Sequence, residues 1–221
     1  MSKLNNIVIW GGTFIVLISF IVAVYISKNN RVYMKGFFFC PLVSLLVSTN
    51  SISSRFLFLY STEINFRIQS ILHLCDLLFW GIFFIRLLDD NREFRRIIIL
   101  LTLTFLISSY LLYFNNTINP NLHIHALVNL CKTIFGILFY NKLFKDLPYQ
   151  NILLEPSFWI VTGLIFYSTL SLPFYALNSY IKEQFIPTIS YNIFSISNIL
   201  IIIMHLFFIK AYLCTIHLHK A

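Results

Sequence analysis

Two side chains that carry full charges, Asp76 and Lys132, lie inside long apolar runs of the sequence. An ionised side chain at the middle of a bilayer costs roughly 2.5–3.5 kcal/mol on insertion scales, so such residues face a bundle interior and have partners there. A carboxylate and an ammonium group can neutralise each other, hold a polar ligand or exchange protons. The sequence therefore predicts a polar site at these residues, either a structural ion pair or a ligand, ion or proton site.

Polar residues recur around both charges at helical spacing. Steps of four, three and four residues place a set of side chains on one face of a helix. The three stripes with this spacing are Gln69, His73, Asp76 and Trp80; His125, Asn129, Lys132 and Gly136; and Tyr191, Ser195, Asn198, Ile202 and His205. From them we predict a binding site in a polar bundle core, formed by His73, Asp76, Asn129, Lys132 and Asn198.

Histidines offer further chemistry at two places. His73 shares a helix face with Asp76, which permits either a proton relay or, the favoured interpretation, a hydrogen-bonded core pair. His123 and His125 form an H-x-H at the start of an apolar run. Side chains two residues apart on a helix point about 200° apart, so these two cannot bind one metal ion together. We expect them to be polar residues at the membrane interface.

Catalytic and metal-binding motifs are missing from the sequence. It contains no G-x-S-x-G, H-E-x-x-H or P-loop pattern, and a membrane-embedded lipid hydrolase would need clustered carboxylates, whereas Asp76 is the one carboxylate well inside an apolar run. The cysteines show no metal-ligand spacing and are predicted to be free thiols. They are Cys40, Cys75, Cys131 and Cys214. The sequence predicts no catalytic residues, no metal and no cofactor, and it disfavours an enzyme.

Long apolar segments must position these residues. The chain has 221 residues, of which 58% are hydrophobic and 11% charged, whereas a soluble domain carries about 25% charged residues. Continuous rather than alternating apolar runs indicate membrane-spanning helices and exclude a barrel. We predict one domain, residues 1–221, an all-α bundle of seven transmembrane helices, in which the second span is the least certain because its second half is polar. The spans are Ile7–Ser27, Gly36–Ser53, Phe66–Leu88, Ile97–Phe114, Leu122–Phe144, Ser157–Leu177 and Pro187–Leu213.

Basic residues are unequally distributed between the two sides of this bundle. The positive-inside rule places the richer side in the cytoplasm. We therefore predict an integral protein of the bacterial inner membrane, with the N-terminus outside and the C-terminus cytoplasmic. One side carries Lys28, Arg31, Lys35, Arg86, Arg92, Arg95, Arg96, Lys142, Lys145, Lys210 and Lys220, and the other carries Lys3, Arg55, Arg67 and Lys182.

The connection between the third and fourth spans concentrates arginines. Arg86, Arg92, Arg95 and Arg96 lie within eleven residues of one another. We predict that they form a cytoplasmic docking surface, the alternative being that they only set the topology. The basic residues of the chain as a whole are scattered between apolar runs, which argues against binding to nucleic acid.

Two segments carry a resemblance to a known group. The segment "LEPSFWIVTGLIFYSTLSLPFY" (Leu154–Tyr175) and the segment "HLCDLLFWGIFF" (His73–Phe84) resemble the sixth and third helices of small seven-helix membrane proteins of the Bacteroidota. Such proteins are often associated with two-component histidine kinases. The resemblance implies a sensory or accessory role, and it brings no catalytic residues with it.

Two functions follow as hypotheses. The first is a sensory or accessory signalling protein that binds a small ligand, a lipid or a partner helix at its polar core, with the bilayer and a histidine kinase or another membrane protein as its partners. The second is a small proton-coupled transporter that uses Asp76 and Lys132. Against the second, the sequence shows neither an inverted repeat nor a pair of broken helices.

Overall fold

The computed structural model describes residues 3–26, 41–42, 44–46, 62–114, 120–146, 152–184 and 187–218, and within these ranges the chain is almost entirely helical and contains no strand. Prolines open three of the helices, at the position where their missing N–H group is not needed. The long helices are α1 (Lys3–Ile26), α2 (Thr62–Leu88), α3 (Asn91–Phe114), α4 (Pro120–Asp146), α5 (Pro156–Gln184) and α6 (Pro187–Leu218), and a short 3-10 helix, Ile152–Leu154, precedes α5.

Five of these helices, α2 to α6, are long and apolar enough to cross a membrane. The all-helical membrane fold is thereby confirmed. The apolar segment found in α1, Trp10–Tyr25, is shorter than the other five. Of the second predicted span, residues 41–42 and 44–46 are described and are helical, while its remainder lies outside the described residues. The count of seven spans and the orientation of the termini stay predictions.

Contacts between helices define the order of the bundle. α1 packs against α6, α6 against α5, α5 against α4, and α4 against α2, while α3 packs on both α2 and α4. α4 and α5 are antiparallel, because Tyr140 late in α4 meets Thr162 early in α5, whereas His125 early in α4 meets Tyr175 late in α5. Helix α4 therefore has α2, α3 and α5 as neighbours and lies at the centre of the contacts.

Aromatic side chains fill the middle of the bundle. Trp80 and Phe84 of α2 pack against Phe208 of α6 and Phe135 of α4, with ring centroids 6.1 and 5.6 Å apart. All four side chains are buried. In a bilayer the lipid is as apolar as these rings, so close packing rather than removal from water holds such helices together.

Helix α3 has the most exposed surface among the spanning helices. Only 17% of its spanning window is buried. Its outer face carries Ile99, Leu103, Leu106 and Tyr110, which repeat at helical spacing and are all exposed. An apolar face of this size would be a liability in water but is suited to contact with acyl chains.

Glycines allow close approach at three helix contacts. A Cβ atom added to Gly163 of α5 would lie 2.7 Å from Cβ of Phe207 and 3.1 Å from the carbonyl oxygen of Met204, both in α6. Gly81 and Gly136 face side chains of α3 and α5 with equally little space. Small residues at these positions bring the helix backbones together, as is usual in membrane bundles.

Candidate functional site

Two buried polar contacts join α2 to α4. His125 Nδ1 and His73 Nε2 share a hydrogen bond of 2.8 Å. Further along both helices, Lys132 donates to the carboxylate of Asp76. Because the contacts advance in the same direction along both helices, α2 and α4 are parallel.

The Asp76–Lys132 ion pair predicted from the sequence is present in the structure. The lysine side chain is 6% exposed and the aspartate side chain 14%. Each charge removes much of the cost of burying the other, and an unpaired partner would be strongly destabilising in this apolar setting. The pair therefore neutralises the interior of the bundle.

A third polar contact lies at the far end of α2. Lys142 of α4 donates to the backbone carbonyl of Leu88, the last residue of α2. The carbonyls at a helix C-terminus have no partner within the helix, and a lysine there also matches the negative end of the helix dipole. We call the three contacts between α2 and α4 the polar ladder. They are His73–His125, Asp76–Lys132 and Leu88–Lys142.

The expectation that His123 and His125 are both interfacial residues is wrong for His125. His125 is 8% exposed and points into the bundle, where it contacts His73, while His123 is half-buried. His73 therefore has a histidine on α4 as its hydrogen-bond partner, where a pair with Asp76 was favoured. The signal for His125 was its spacing, since it is four and seven residues before Asn129 and Lys132 on one helix face.

Two tyrosines of α5 complete the surroundings of His125. The Tyr167 hydroxyl lies 3.3 Å from His125 Nε2, and the Tyr175 ring stacks on the His125 ring with centroids 3.8 Å apart. The sequence analysis did not assign either tyrosine to the site. A signal existed, because Tyr167, Ser171 and Tyr175 recur every four residues and share one face of α5.

Asn129 is completely buried but turns toward α5. Its amide nitrogen donates to the Ser171 hydroxyl at 3.0 Å. One turn along α4, the Thr133 and Ser168 hydroxyls are 2.9 Å apart and continue this second line of contacts. The Asn129 carbonyl oxygen accepts no hydrogen bond from the described residues. Asn129 thus lies beside the ion pair without bonding to it.

Asn198 is the one predicted core residue that lies on α6. It is half-buried, and its backbone oxygen faces Gly12 of α1. Its place in a common site with the ion pair stays a prediction. Further along the same stripe His205 is completely buried, and neither of its ring nitrogens has a hydrogen-bond partner among the described residues.

The four predicted docking arginines surround the junction of α2 and α3, which we call the arginine turn (residues 86–96). All four arginines are exposed, and Arg96 forms a 2.7 Å ion pair with Glu93. Asp89 ends α2 with a positive φ of 42°. Asp90 caps α3, because its Oδ1 accepts the Arg92 N–H at 2.8 Å.

Metal-binding and redox chemistry find no support in the part of the chain that is described. No group of three or more His, Cys, Asp or Glu side chains could hold a metal ion there. Cys75, Cys131 and Cys214 are free thiols, as predicted, and Cys40 lies outside the described residues. The Cys131 sulfur hydrogen-bonds with the Thr104 hydroxyl of α3 at 2.9 Å.

Comparison with known proteins adds no identity to this geometry. No protein-family model, no curated protein and no solved structure matches the chain. The candidate function therefore depends on the site itself.

Proposed function

We propose that the protein is a sensory or accessory signalling component of the membrane, whose input site is the buried part of the polar ladder and whose output surface is the arginine turn. The observation that carries the proposal is the ladder itself. It leads along one helix pair from a buried histidine pair and ion pair to Lys142, which holds the helix end at which the arginine turn begins.

A change of charge in the core supports a response at the turn. Asp76 and Leu88 are twelve residues apart on α2, a distance of about 18 Å along a helix. A ligand or proton that separates Asp76 from Lys132 strands a charge in an apolar interior, which favours a shift of α2 relative to α4. Leu88–Lys142 is the next polar contact between these helices and is sensitive to such a shift.

The distribution of Lys and Arg supports an orientation in which the arginine turn faces the cytoplasm of a bacterial cell. In this orientation the histidine pair is near the outer surface. The arginine turn is then accessible to a cytoplasmic partner, and the resemblance described above favours a histidine kinase or another membrane protein in that role.

The proposal is tested by hydrogen–deuterium exchange of the full chain in lipid nanodiscs. We expect Asp76→Asn to raise amide exchange at residues 86–96 as well as around the substitution itself. The matched control is Thr133→Val, which removes a hydroxyl contact with Ser168 at similar depth in α4 but leaves the ladder intact. Increased exchange confined to the middle of α2 and α4 would contradict coupling between the core and the turn.

A proton-coupled carrier is the second candidate. It is favoured by the hydrogen bonds from Tyr167 through His125 to His73, which lie beside the ion pair. Against it, the described helices α2, α4, α5 and α6 are each continuous, whereas many carriers bind substrate at broken helices. Proton flux into proteoliposomes that disappears in Asp76→Asn would favour the carrier over the sensor.

A further inference from the structure

The hydrogen-bond chain from Tyr167 through His125 to His73 can be completed in two opposite directions. In the first, Tyr167 donates to His125 Nε2, and His125 Nδ1 donates to His73 Nε2. In the second, His73 Nε2 donates to His125 Nδ1, and His125 Nε2 donates to the Tyr167 oxygen. The distances of 3.3 and 2.8 Å permit both. A chain that is satisfied in either direction can pass a proton by reversing.

We propose that this chain is a proton relay that carries a proton from the end of the bundle opposite the arginine turn to the carboxylate of Asp76. The proton is then the input of the site, so this inference rests on the function proposed above. It adds the chemical identity of the ligand and the route by which the ligand enters.

The position of the chain suits such a route. His125 lies three residues inside the spanning segment that begins at Leu122, and Tyr175 lies one residue before the end of the spanning segment of α5 at Ala176. At about 1.5 Å per residue, His125 is about 5 Å from the membrane surface. Lys132, ten residues from Leu122, is about 15 Å deep, near the middle of the hydrocarbon core.

Each proton transfer balances. Tyr167 takes a proton from water and passes its own to His125 Nε2, whose Nδ1 proton moves to His73 Nε2. His73 then gives its Nδ1 proton to Asp76, which lies one turn along the same face of α2. The rings end as the opposite neutral tautomers, the water has lost one proton, and the carboxylate has become a carboxylic acid.

Charged and titratable groups around His73 come from three helices. Asp76 and Lys132 both act on it electrostatically, with opposite signs. On the remaining side of α4, α3 presents the Thr104 hydroxyl to the Cys131 thiol. The groups that face the relay are Asp76 on α2, His125 and Lys132 on α4, and Tyr167 and Tyr175 on α5.

Protonation of Asp76 releases Lys132, and the structure holds a second acceptor for it. The Asn129 carbonyl oxygen is buried, has no hydrogen-bond partner among the described residues, and lies one turn from Lys132 on the same helix. A lysine that exchanges Asp76 for Asn129 breaks the central contact of the ladder without leaving its ammonium group unbonded. The relay thereby opens the contact between α2 and α4.

Infrared difference spectroscopy of the full chain in nanodiscs tests the proposal. Acidification from about pH 8 to about pH 4 covers the range in which carboxylates take up protons. We expect one carboxylic-acid carbonyl band that is missing in Asp76→Asn. After a rapid pH jump, Tyr167→Phe and His125→Gln should slow this band by about tenfold or more. The matched control, Tyr140→Phe, removes a hydroxyl that contacts Thr162 at the same helix pair and should leave the rate unchanged.

Absence of an Asp76-dependent band, or a Tyr167→Phe protein that protonates as fast as the wild type, would overturn the relay. Nitrogen NMR of the unsubstituted, histidine-labelled protein gives a reading that no variant can disturb by unfolding. Coupling across an N–H···N bond between two histidine rings is expected, and its absence also overturns the proposal. If the relay variants slow protonation while Asp76→Asn leaves exchange at residues 86–96 unchanged, the relay stands and the signalling role fails. The reverse pattern removes the relay alone.

Discussion

At the scale of single residues, Asp76 and Lys132 place the strongest electrostatic requirement on this fold. Both side chains are largely buried in helices that are otherwise apolar. Such a pair contributes little more than two well-packed apolar residues would, but it is costly to break on one side only. The two residues therefore have to be considered as one unit.

We predict that single substitutions of this pair are far more damaging than the double substitution. Asp76→Asn and Lys132→Met should each lower the free energy of unfolding in detergent by about 3–5 kcal/mol, because the other charge is stranded. Asp76→Asn combined with Lys132→Met should recover much of the loss. The control is Glu93→Gln, which breaks an exposed 2.7 Å ion pair with Arg96 and should cost about 1 kcal/mol or less. A double variant as unstable as the sum of the singles would mean that the two side chains do not interact.

At the scale of helices, the short junction between α2 and α3 depends on two neighbouring aspartates with different tasks. Asp89 adopts the left-handed conformation, and its N–H donates to the Ile85 carbonyl at 3.2 Å. This is the usual way in which a helix ends, but it ordinarily uses glycine. Asp90 starts α3 by accepting the N–H of Arg92.

We expect substitutions of these two aspartates to have opposite signs. Asp89→Gly should raise the free energy of unfolding by up to about 1 kcal/mol, because glycine adopts a positive φ without steric cost. Asp90→Ala should lower it by about 1 kcal/mol, since the N-cap hydrogen bond is lost. Chemical unfolding in one detergent measures both. A stability loss in Asp89→Gly would show that the carboxylate of Asp89 matters more than its backbone conformation.

Helix packing makes a second prediction at this scale. Gly163→Ala should lower the thermal midpoint in detergent, because the added methyl meets Cβ of Phe207 and a backbone carbonyl of α6 that cannot move alone. Gly11→Ala is the matched control, since a Cβ atom there meets nothing within 4 Å. It should leave the midpoint unchanged or raise it through better helix propensity. Equal effects of the two substitutions would contradict close packing of α5 on α6.

At the scale of the whole molecule, the parallel pair α2 and α4 presents the histidine pair at one end and the arginine turn at the other. Which end faces the cytoplasm decides which compartment the site samples. The bias of Lys and Arg toward the end that carries the arginine turn favours the cytoplasm for that end.

We predict this orientation for reporter fusions in cells. Fusions after Lys35, Arg96 and Lys145 should report the cytoplasm, and a fusion after Thr117 should report the exterior, because the connections rich in Lys and Arg are retained inside. The fusion after Thr117 serves as the internal control for the other three. An exterior signal after Arg96 would reverse the bundle and place the histidine pair at the cytoplasmic end.

Much of the architecture follows from local properties of the sequence. The length and continuity of the apolar runs identified the spanning helices, since no other regular structure satisfies the backbone of such segments in a bilayer. Helical spacing and depth were also sufficient to predict the Asp76–Lys132 contact, because a buried charge on one helix requires an opposite charge at the same depth on another. These inferences need only the period of a helix and the cost of a charge in lipid.

Tertiary structure decided which neighbour each remaining polar group contacts. His125 bonds to His73 and stacks on Tyr175, while Asn129, one turn away on the same stripe, bonds to Ser171. A polar stripe indicates the face of a helix but not the helix that lies against it. That choice depends on how α2 and α5 pack against the two sides of α4, and those contacts join residues more than forty positions apart in the chain.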